Sequence, residues 1–275
     1  MRDVRIESLI DYIDFISGAS DRTVSYRGAK DPVEDMKPTV VRSWQRNRAI
    51  RADTGRNGGG RNGGEGPSLW EYEERLIESF KRQSLPFLES APGCHLNWLA
   101  VAQHHELPTR LLDWTRNPLI ALYFAANNRG RYQRPEQWSD AYVFMWVISD
   151  TLDSHRHMLP LDLLPAMKPR GHGRIADGES PAGGDNRVHL FSPPTLSSRI
   201  ASQEGLFSFE EQLSETSFPE MAERLGLEVT RILVPGAARL DILKHLNRLG
   251  VETGKLFPDL PGLCAHQRWV AEWLW

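Results

Sequence analysis

The sequence predicts a single α+β domain in which helices pack on a mixed or antiparallel central sheet. Segments with helical periodicity dominate the first half of the chain, whereas short alternating or apolar segments dominate the second half. Runs of helices followed by runs of strands are typical of the α+β class. A chain of 275 residues is long enough to bury a large core, so we expect one domain over residues 1–275.

The first half is predicted to contain mostly helices with one early strand. Ser68 and Glu71 have the spacing of a capping box at a helix start. Asn117 can cap a following helix, and Pro118 suits its first position. That helix is apolar on all sides, so we expect it to be buried. The pattern predicts helices over 5–17, 68–83, 96–104 and 118–127 and a strand over 23–28.

The second half is predicted to supply most of the sheet. Residues 141–148 are apolar on both faces, which is typical of an interior strand. Residues 198–209 combine a short helical turn, a glycine and a strand. Further strands are predicted over 187–191 and 229–234, and helices over 237–249 and 267–275.

A glycine- and arginine-rich segment over residues 55–66 interrupts the first half. Its many glycines oppose ordering, so it is predicted to be a flexible insertion loop. It lacks the Lys-Ser/Thr ending of a phosphate-binding loop. The alternative interpretation is a basic arm that attracts a phosphate backbone.

Composition favours an ordinary cytoplasmic protein. The formal net charge is −3, which argues against a dedicated nucleic-acid binder but allows a local basic patch. Cys94 and Cys264 have no metal-site or disulfide pattern. The first residues do not resemble a signal peptide, and no apolar run reaches the ~18–20 residues that span a bilayer, so no membrane partner is expected.

Residues 103–115 concentrate titratable side chains just before the buried helix. Arg110 and Asp113 are three residues apart and are predicted to form a local salt bridge. His104 ends its helix and can be directed into a cleft. A metal site of His104, His105 and Asp113 is disfavoured because adjacent helical residues diverge by about 100°.

Three segments together resemble the FRG domain family, which is named for an aromatic-Arg-Gly motif. They are Tyr26-Arg27-Gly28, the run 103–115 and the run 199–207, and residues 257–263 are similar to the end of that domain. The resemblance extends from about residue 20 to 265. The chain departs from the family at Glu106, where such proteins often carry glycine, and in the insertion at 55–66.

The resemblance implies a diverged ADP-ribosyltransferase-like fold with a split sheet and NAD as substrate. FRG proteins resemble effectors that bacteria and phages use against each other, either as toxins or in phage defence. That role implies an acceptor of the ADP-ribose, which is an unknown protein or nucleic acid, and it allows for an inhibitory partner. No metal is expected. Arg27 would correspond to the early motif residue, and Gln203 or Glu204 to the late catalytic one.

Chemical roles can be assigned to the remaining motif residues on the same basis. Arg27 would clamp the diphosphate, and His104 would hydrogen-bond the nucleotide. Rings such as Tyr26 or Trp114 would stack on nicotinamide. The expected cofactor-binding group is Tyr26, Arg27, Gly28, His105, Arg110 and Trp114, with Gln203, Glu204 and His104 as catalytic residues.

Two alternatives remain open. One is a non-catalytic nucleotide- or nucleic-acid-binding module that uses Arg27, Arg110 and the arginine-rich segment. The other is a nuclease or other hydrolase that uses His104 and Asp113.

Overall fold

Seven strands form one mixed sheet in the computed structural model, which describes residues 1–18, 23–53, 66–127, 134–148, 188–193 and 198–275. The strand order is β1 (Arg2–Arg5), β7 (Val229–Val234), β4 (Ala141–Ile148), β2 (Thr23–Ala29), β3 (Leu112–Thr115), β6 (Gly205–Glu210) and β5 (Val188–Phe191). Only the β1–β7 pair is parallel, and the other neighbours are antiparallel. The predicted α+β class with a mixed central sheet is therefore confirmed. The expectation of a single domain over residues 1–275 stays a prediction.

The strands that were predicted from apolar character are present, and two others are added. The interior position of 141–148 is confirmed, because it lies between β7 and β2. β1 and β3 were not predicted, because each has only four residues and carries charged side chains.

The predicted helices are present with shifted ends, and the helices over residues 39–53, 218–224 and 253–256 were not predicted. The helices are α1 (Leu9–Ser17), α2 (Thr39–Asp53), α3 (Leu69–Ser84), α4 (His95–His104), α5 (Pro118–Ala126), α6 (Ser198–Ser202), α7 (Phe218–Arg224), α8 (Arg239–Arg248), α9 (Thr253–Leu256) and α10 (Leu260–Trp273). The first helix starts at Leu9, not residue 5, because β1 occupies the preceding residues and Ser8 caps the helix. The last helix starts earlier than residue 267, because Asp259 caps it.

The predicted helix starts at Ser68 and Asn117 are confirmed. Ser68 and Glu71 form both halves of a capping box. The Asn117 side chain accepts hydrogen bonds from the backbone N–H groups of Leu119 and Ile120. The prediction of a flexible loop over 55–66 falls, apart from Gly66, outside the described residues.

Helix α5 lies on one face of the sheet, directly over β2. Six of its nine residues are buried, which confirms the predicted buried helix. On that face it packs with Val143 and Met145 of β4. Phe144 and Trp146 point to the opposite face, as the twofold alternation of a strand requires.

Candidate functional site

A cleft of about 510 Å³ lies between the middle of the sheet and the end of α4. Clefts of this size are typical of small-molecule sites. Its walls come from β2, the end of α4, β3 and the segment 199–207. The lining residues include Tyr26, Arg27, Gly28, Lys30, Asp35, Gln103, His104, Glu106, Asp113, Trp114, Phe124, Arg199 and Gln203.

Six of the residues predicted for the site line this cleft: Tyr26, Arg27, Gly28, His104, Trp114 and Gln203. His105, Arg110 and Glu204 do not line it. Three segments that are far apart in sequence thus meet at one place. Their roles toward a ligand stay predictions.

Arg27 joins β2 to two neighbouring parts of the wall. Its Nη1 donates to the backbone oxygen of Asp113 at 2.6 Å, and its Nη2 donates to the backbone oxygen of Asp35 at 2.9 Å. Nη1 also lies 3.5 Å from the Asp113 carboxylate. Because only 13% of the side chain is exposed, most of the guanidinium serves to hold the cleft wall together.

Asp113 presents a carboxylate to the cleft. Its side chain is 59% exposed, although one oxygen accepts from Gln103 Nε2 at 3.1 Å. Gln103 is itself fixed, because its Oε1 accepts from the hydroxyl of Thr109 at 2.6 Å. The carboxylate therefore has a defined position while remaining accessible.

The predicted salt bridge between Arg110 and Asp113 is wrong. Arg110 pairs with Glu73 of α3, and both side chains are 4% exposed. Its backbone N–H and its Nε both donate to the Glu73 carboxylate, and its guanidinium lies 4.8 Å from the centre of the Trp70 ring. The i,i+3 rule applies to helices, whereas Asp113 lies in a strand.

His104 is half-buried at the end of α4, as predicted, and it faces the cleft. Burial lowers the pKa of its imidazole below the ordinary value, and the positive charges of His105 and Arg199 lower it further, against an opposing effect of Asp259. A lowered pKa favours the neutral ring at pH 7. A neutral ring can both donate and accept a hydrogen bond.

Gln203 and Glu204 lie at the turn between α6 and β6. Gln203 Nε2 donates to the backbone oxygen of Leu256 at 3.0 Å. Glu204 has a left-handed backbone (φ 47°), and its carboxylate accepts from Asn117 Nδ2 at 3.0 Å. Of the two candidates for the late catalytic position, only Gln203 borders the cleft.

Arg199 lines the cleft but was not among the predicted site residues. Its guanidinium lies 4.6 Å from the centre of the Phe257 ring. Among the described residues it has no ion pair and donates no side-chain hydrogen bond. The signal was present, because Arg199 opens the third motif segment, but its direction depends on the packing of α6 against α9.

Tyr26 and Trp114 are mostly buried in the cleft wall. Trp114 is 2% exposed, donates from Nε1 to the hydroxyl of Ser208 at 2.8 Å and packs against Trp146 and Phe218. Burial raises the pKa of the Tyr26 hydroxyl. Both rings therefore expose little surface to a ligand, with Tyr26 6% and Trp114 2% exposed.

Helix α4 ends in a Schellman motif that places Glu106 in the left-handed region (φ 64°). The N–H of Leu107 donates to Ala102 O and that of Glu106 to Gln103 O. Gly226 and Gly250 occupy the same position after α7 and α8, with φ of 65° and 83°. A glycine at this position, which the resemblance to the FRG family leads us to expect, would adopt this backbone without strain.

We expect Glu106→Gly to raise the free energy of unfolding by about 0.5–1 kcal/mol, because glycine adopts a positive φ without a Cβ clash. Thermal and urea unfolding would measure the gain. Glu106→Ala is the matched control and should give none, since alanine keeps the Cβ. An equal gain from both variants would mean that the charge of Glu106, not its backbone, is unfavourable.

In the described part of the chain, no group of three His, Cys, Asp or Glu side chains is arranged to hold a metal ion. None of the described helices has both the length and the apolar character required to cross a bilayer.

The fold and the cleft define an α+β protein with a cleft on a mixed sheet that both polar and apolar side chains line. Its residues 22–134, which supply two of the three cleft segments, match the family model of the FRG domain. No curated protein and no solved structure matches the chain.

Proposed function

We propose that this protein is an ADP-ribosyltransferase-like enzyme whose cleft binds NAD. The observation that supports the proposal is the meeting of 26–28, 103–115 and 199–207 in one cleft of about 510 Å³. These are the segments whose resemblance to the FRG family implies NAD chemistry. The cleft combines cationic, aromatic and carboxylate groups, which a dinucleotide with a diphosphate requires.

Arg199 is the cation best suited to the diphosphate. Arg27 already donates to two backbone oxygens. The Arg199 guanidinium has no hydrogen bond or ion pair with a described residue and lies 4.6 Å from the centre of the Phe257 ring. A guanidinium can donate two parallel hydrogen bonds to phosphate oxygens. The positive charge of Arg199 contributes to the lowered pKa of His104, so the two side chains are near each other. A phosphate bound between them would also contact the imidazole.

Asp113 is the carboxylate best suited to the reacting ribose. When the bond between ribose C1′ and the nicotinamide nitrogen breaks, the electron pair leaves with nicotinamide and positive charge develops on the ribose. A fixed carboxylate stabilises that charge. The acceptor then bonds to C1′ and releases its proton, and water can serve as the simplest acceptor.

The test is the release of nicotinamide from NAD, measured by chromatography with water as acceptor. Wild type is expected to release nicotinamide above background, and Asp113→Asn to lower the rate by about 10²–10³, the range for loss of one electrostatic group. Arg199→Ala should raise KM. Asp241→Asn removes a carboxylate that is 77% exposed on α8 and should leave the rate unchanged.

Two results would contradict the proposal. One is that wild type releases no nicotinamide, and the other is that Asp113→Asn releases it at the wild-type rate. Cleavage of nucleic acid without NAD, lost in His104→Ala, would favour a hydrolase instead.

A second candidate, a nucleotide-binding module without catalysis, is favoured by the late motif residues. The Gln203 amide donates a hydrogen bond to the backbone oxygen of Leu256, and the Glu204 carboxylate accepts one from Asn117. Both side chains therefore already have partners within the protein. This candidate predicts that calorimetry detects NAD binding, weakened by Arg199→Ala, without any release of nicotinamide. The role as a conflict effector would be tested by the toxicity of the expressed wild type compared with Asp113→Asn.

A further inference from the structure

Helix α2 is polar almost all the way round. Its buried residues are Val40 and Val41. Within the described structure, every residue from Arg42 to Asp53 is exposed or partly exposed. A helix of this kind needs ion pairs or a partner to be stable. It carries Arg42, Arg46, Arg48 and Arg51 against one acidic residue, Asp53.

The arginines of α2 are poorly neutralised. Arg42 lies 3.6 Å from the Asp35 carboxylate. Arg46, Arg48 and Arg51 form no ion pair with any acidic side chain among the described residues. Like charges three or four residues apart on a helix repel each other, as Arg42 and Arg46 do, so this helix is stabilised by any anion that binds along it.

The excess of positive charge is local and adjoins the cleft. The chain as a whole has a formal charge of −3. Asp35, the partner of Arg42, lines the cleft, and its backbone oxygen accepts from Arg27. The positive charges of Arg27 and Arg46, after the larger effect of burial, lower the pKa of Arg42. Arg42 thus connects the outer turns of α2, which carry the other arginines, to the cleft wall at Asp35.

The residue types favour phosphate over carboxylate as the partner group. All basic residues of α2 are arginines, whose planar fork fits phosphate oxygens and stacks on rings. Arg48 already lies 5.5 Å from the centre of the Trp44 ring. Arginines interleaved with an aromatic ring are a common arrangement in proteins that bind nucleic-acid strands.

We propose that the exposed face of α2 binds the phosphate backbone of a nucleic-acid strand, without reading its sequence. The binding itself is independent of catalysis. That the bound strand is the acceptor in the cleft rests on the proposed function. DNA and RNA offer the same backbone phosphates, so single strands of both are expected to bind.

The experiment measures binding of the full chain to fluorescent 20-nucleotide DNA and RNA single strands over a series of salt concentrations, without NAD. The variant Arg46→Gln/Arg48→Gln is compared with wild type and with Arg248→Gln/Arg268→Gln. The control arginines are exposed on α8 and α10, away from α2. Both variants remove two charges, and circular dichroism checks that each is folded.

Wild type and control are expected to bind both strands with a strong salt dependence. The α2 variant should bind about tenfold more weakly, and the slope of log affinity against log salt should fall by about 2, one for each lost phosphate contact. Three results would overturn the proposal: no binding by wild type, equal loss in both variants, or displacement of the strand by polyglutamate at equal charge, which would indicate an acidic protein partner.

The outcomes separate this proposal from the enzymatic one. Binding that depends on α2, without nicotinamide release from NAD, supports the nucleic-acid surface and contradicts the transferase. Nicotinamide release without any binding of the strands supports the transferase and contradicts the nucleic-acid surface.

Discussion

Arg110→Ala is expected to lower the free energy of unfolding by about 3–5 kcal/mol, the usual effect of removing one partner of a buried ion pair. The Glu73 carboxylate would keep only the backbone N–H of residue 110 as a described donor. Its side chain is 4% exposed, so water cannot replace the guanidinium. The segment 105–111 would also lose its contact with the Trp70 ring. Urea unfolding monitored by circular dichroism measures the change.

A double variant and a control variant can test whether the effect of Arg110→Ala comes from the burial of its ion pair with Glu73. Glu73→Gln/Arg110→Met removes both charges and keeps an acceptor for the backbone N–H, so it should recover much of the lost stability. Arg231→Ala breaks an exposed pair with Asp3 and should cost at most about 1 kcal/mol. If Arg110→Ala cost no more than Arg231→Ala, the pair would contribute as little as a surface salt bridge.

Gly28→Ala is expected to destabilise the fold by about 3 kcal/mol, at the upper end of the usual overpacking range. A Cβ at this position would lie 2.3 Å from the backbone oxygen of Ala121 and 2.5 Å from the backbone nitrogen of Ala125. These are backbone atoms of α5, so the whole helix must move away from β2 to relieve the contact. Thermal unfolding measures the loss.

Gly93→Ala is the matched control, because a Cβ there meets no atom within 4 Å. It should change the stability by well under 1 kcal/mol. If Gly28→Ala were as mild as Gly93→Ala, α5 would have room to shift, and the glycine of the aromatic-Arg-Gly motif would need an explanation other than packing.

The local signals in the sequence were sufficient for much of the fold. β4 was predicted because eight apolar residues leave no polar face, and α5 because Asn117 and Pro118 mark its start. β1 was not predictable in this way. It has four mostly charged residues and is ordered by pairing with β7, more than 220 residues later. Helix α2 was missed because its arginine-rich turns give no apolar stripe.

The site shows the same division between local and distant effects. The motifs predicted that Arg27, His104 and Gln203 would share a cleft, and all three line it. The pairing of Arg110 was predicted wrongly because its true partner, Glu73, comes from another helix. The direction of Arg199 likewise depends on contacts between α6 and α9 that no local pattern encodes.

The two walls of the cleft differ in how firmly they are anchored. The wall that contains Asp113 is fixed through Gln103, Thr109 and the buried pair of Arg110 with Glu73. Among the described residues, the side-chain hydrogen bonds that join the opposite wall to α9, from Ser202 and Gln203, share one acceptor, the backbone oxygen of Leu256. A ligand would therefore meet one preorganised surface, and any adjustment to its size is expected at the Gln203 wall. The entropic cost of fitting a ligand then falls on a short segment of the chain.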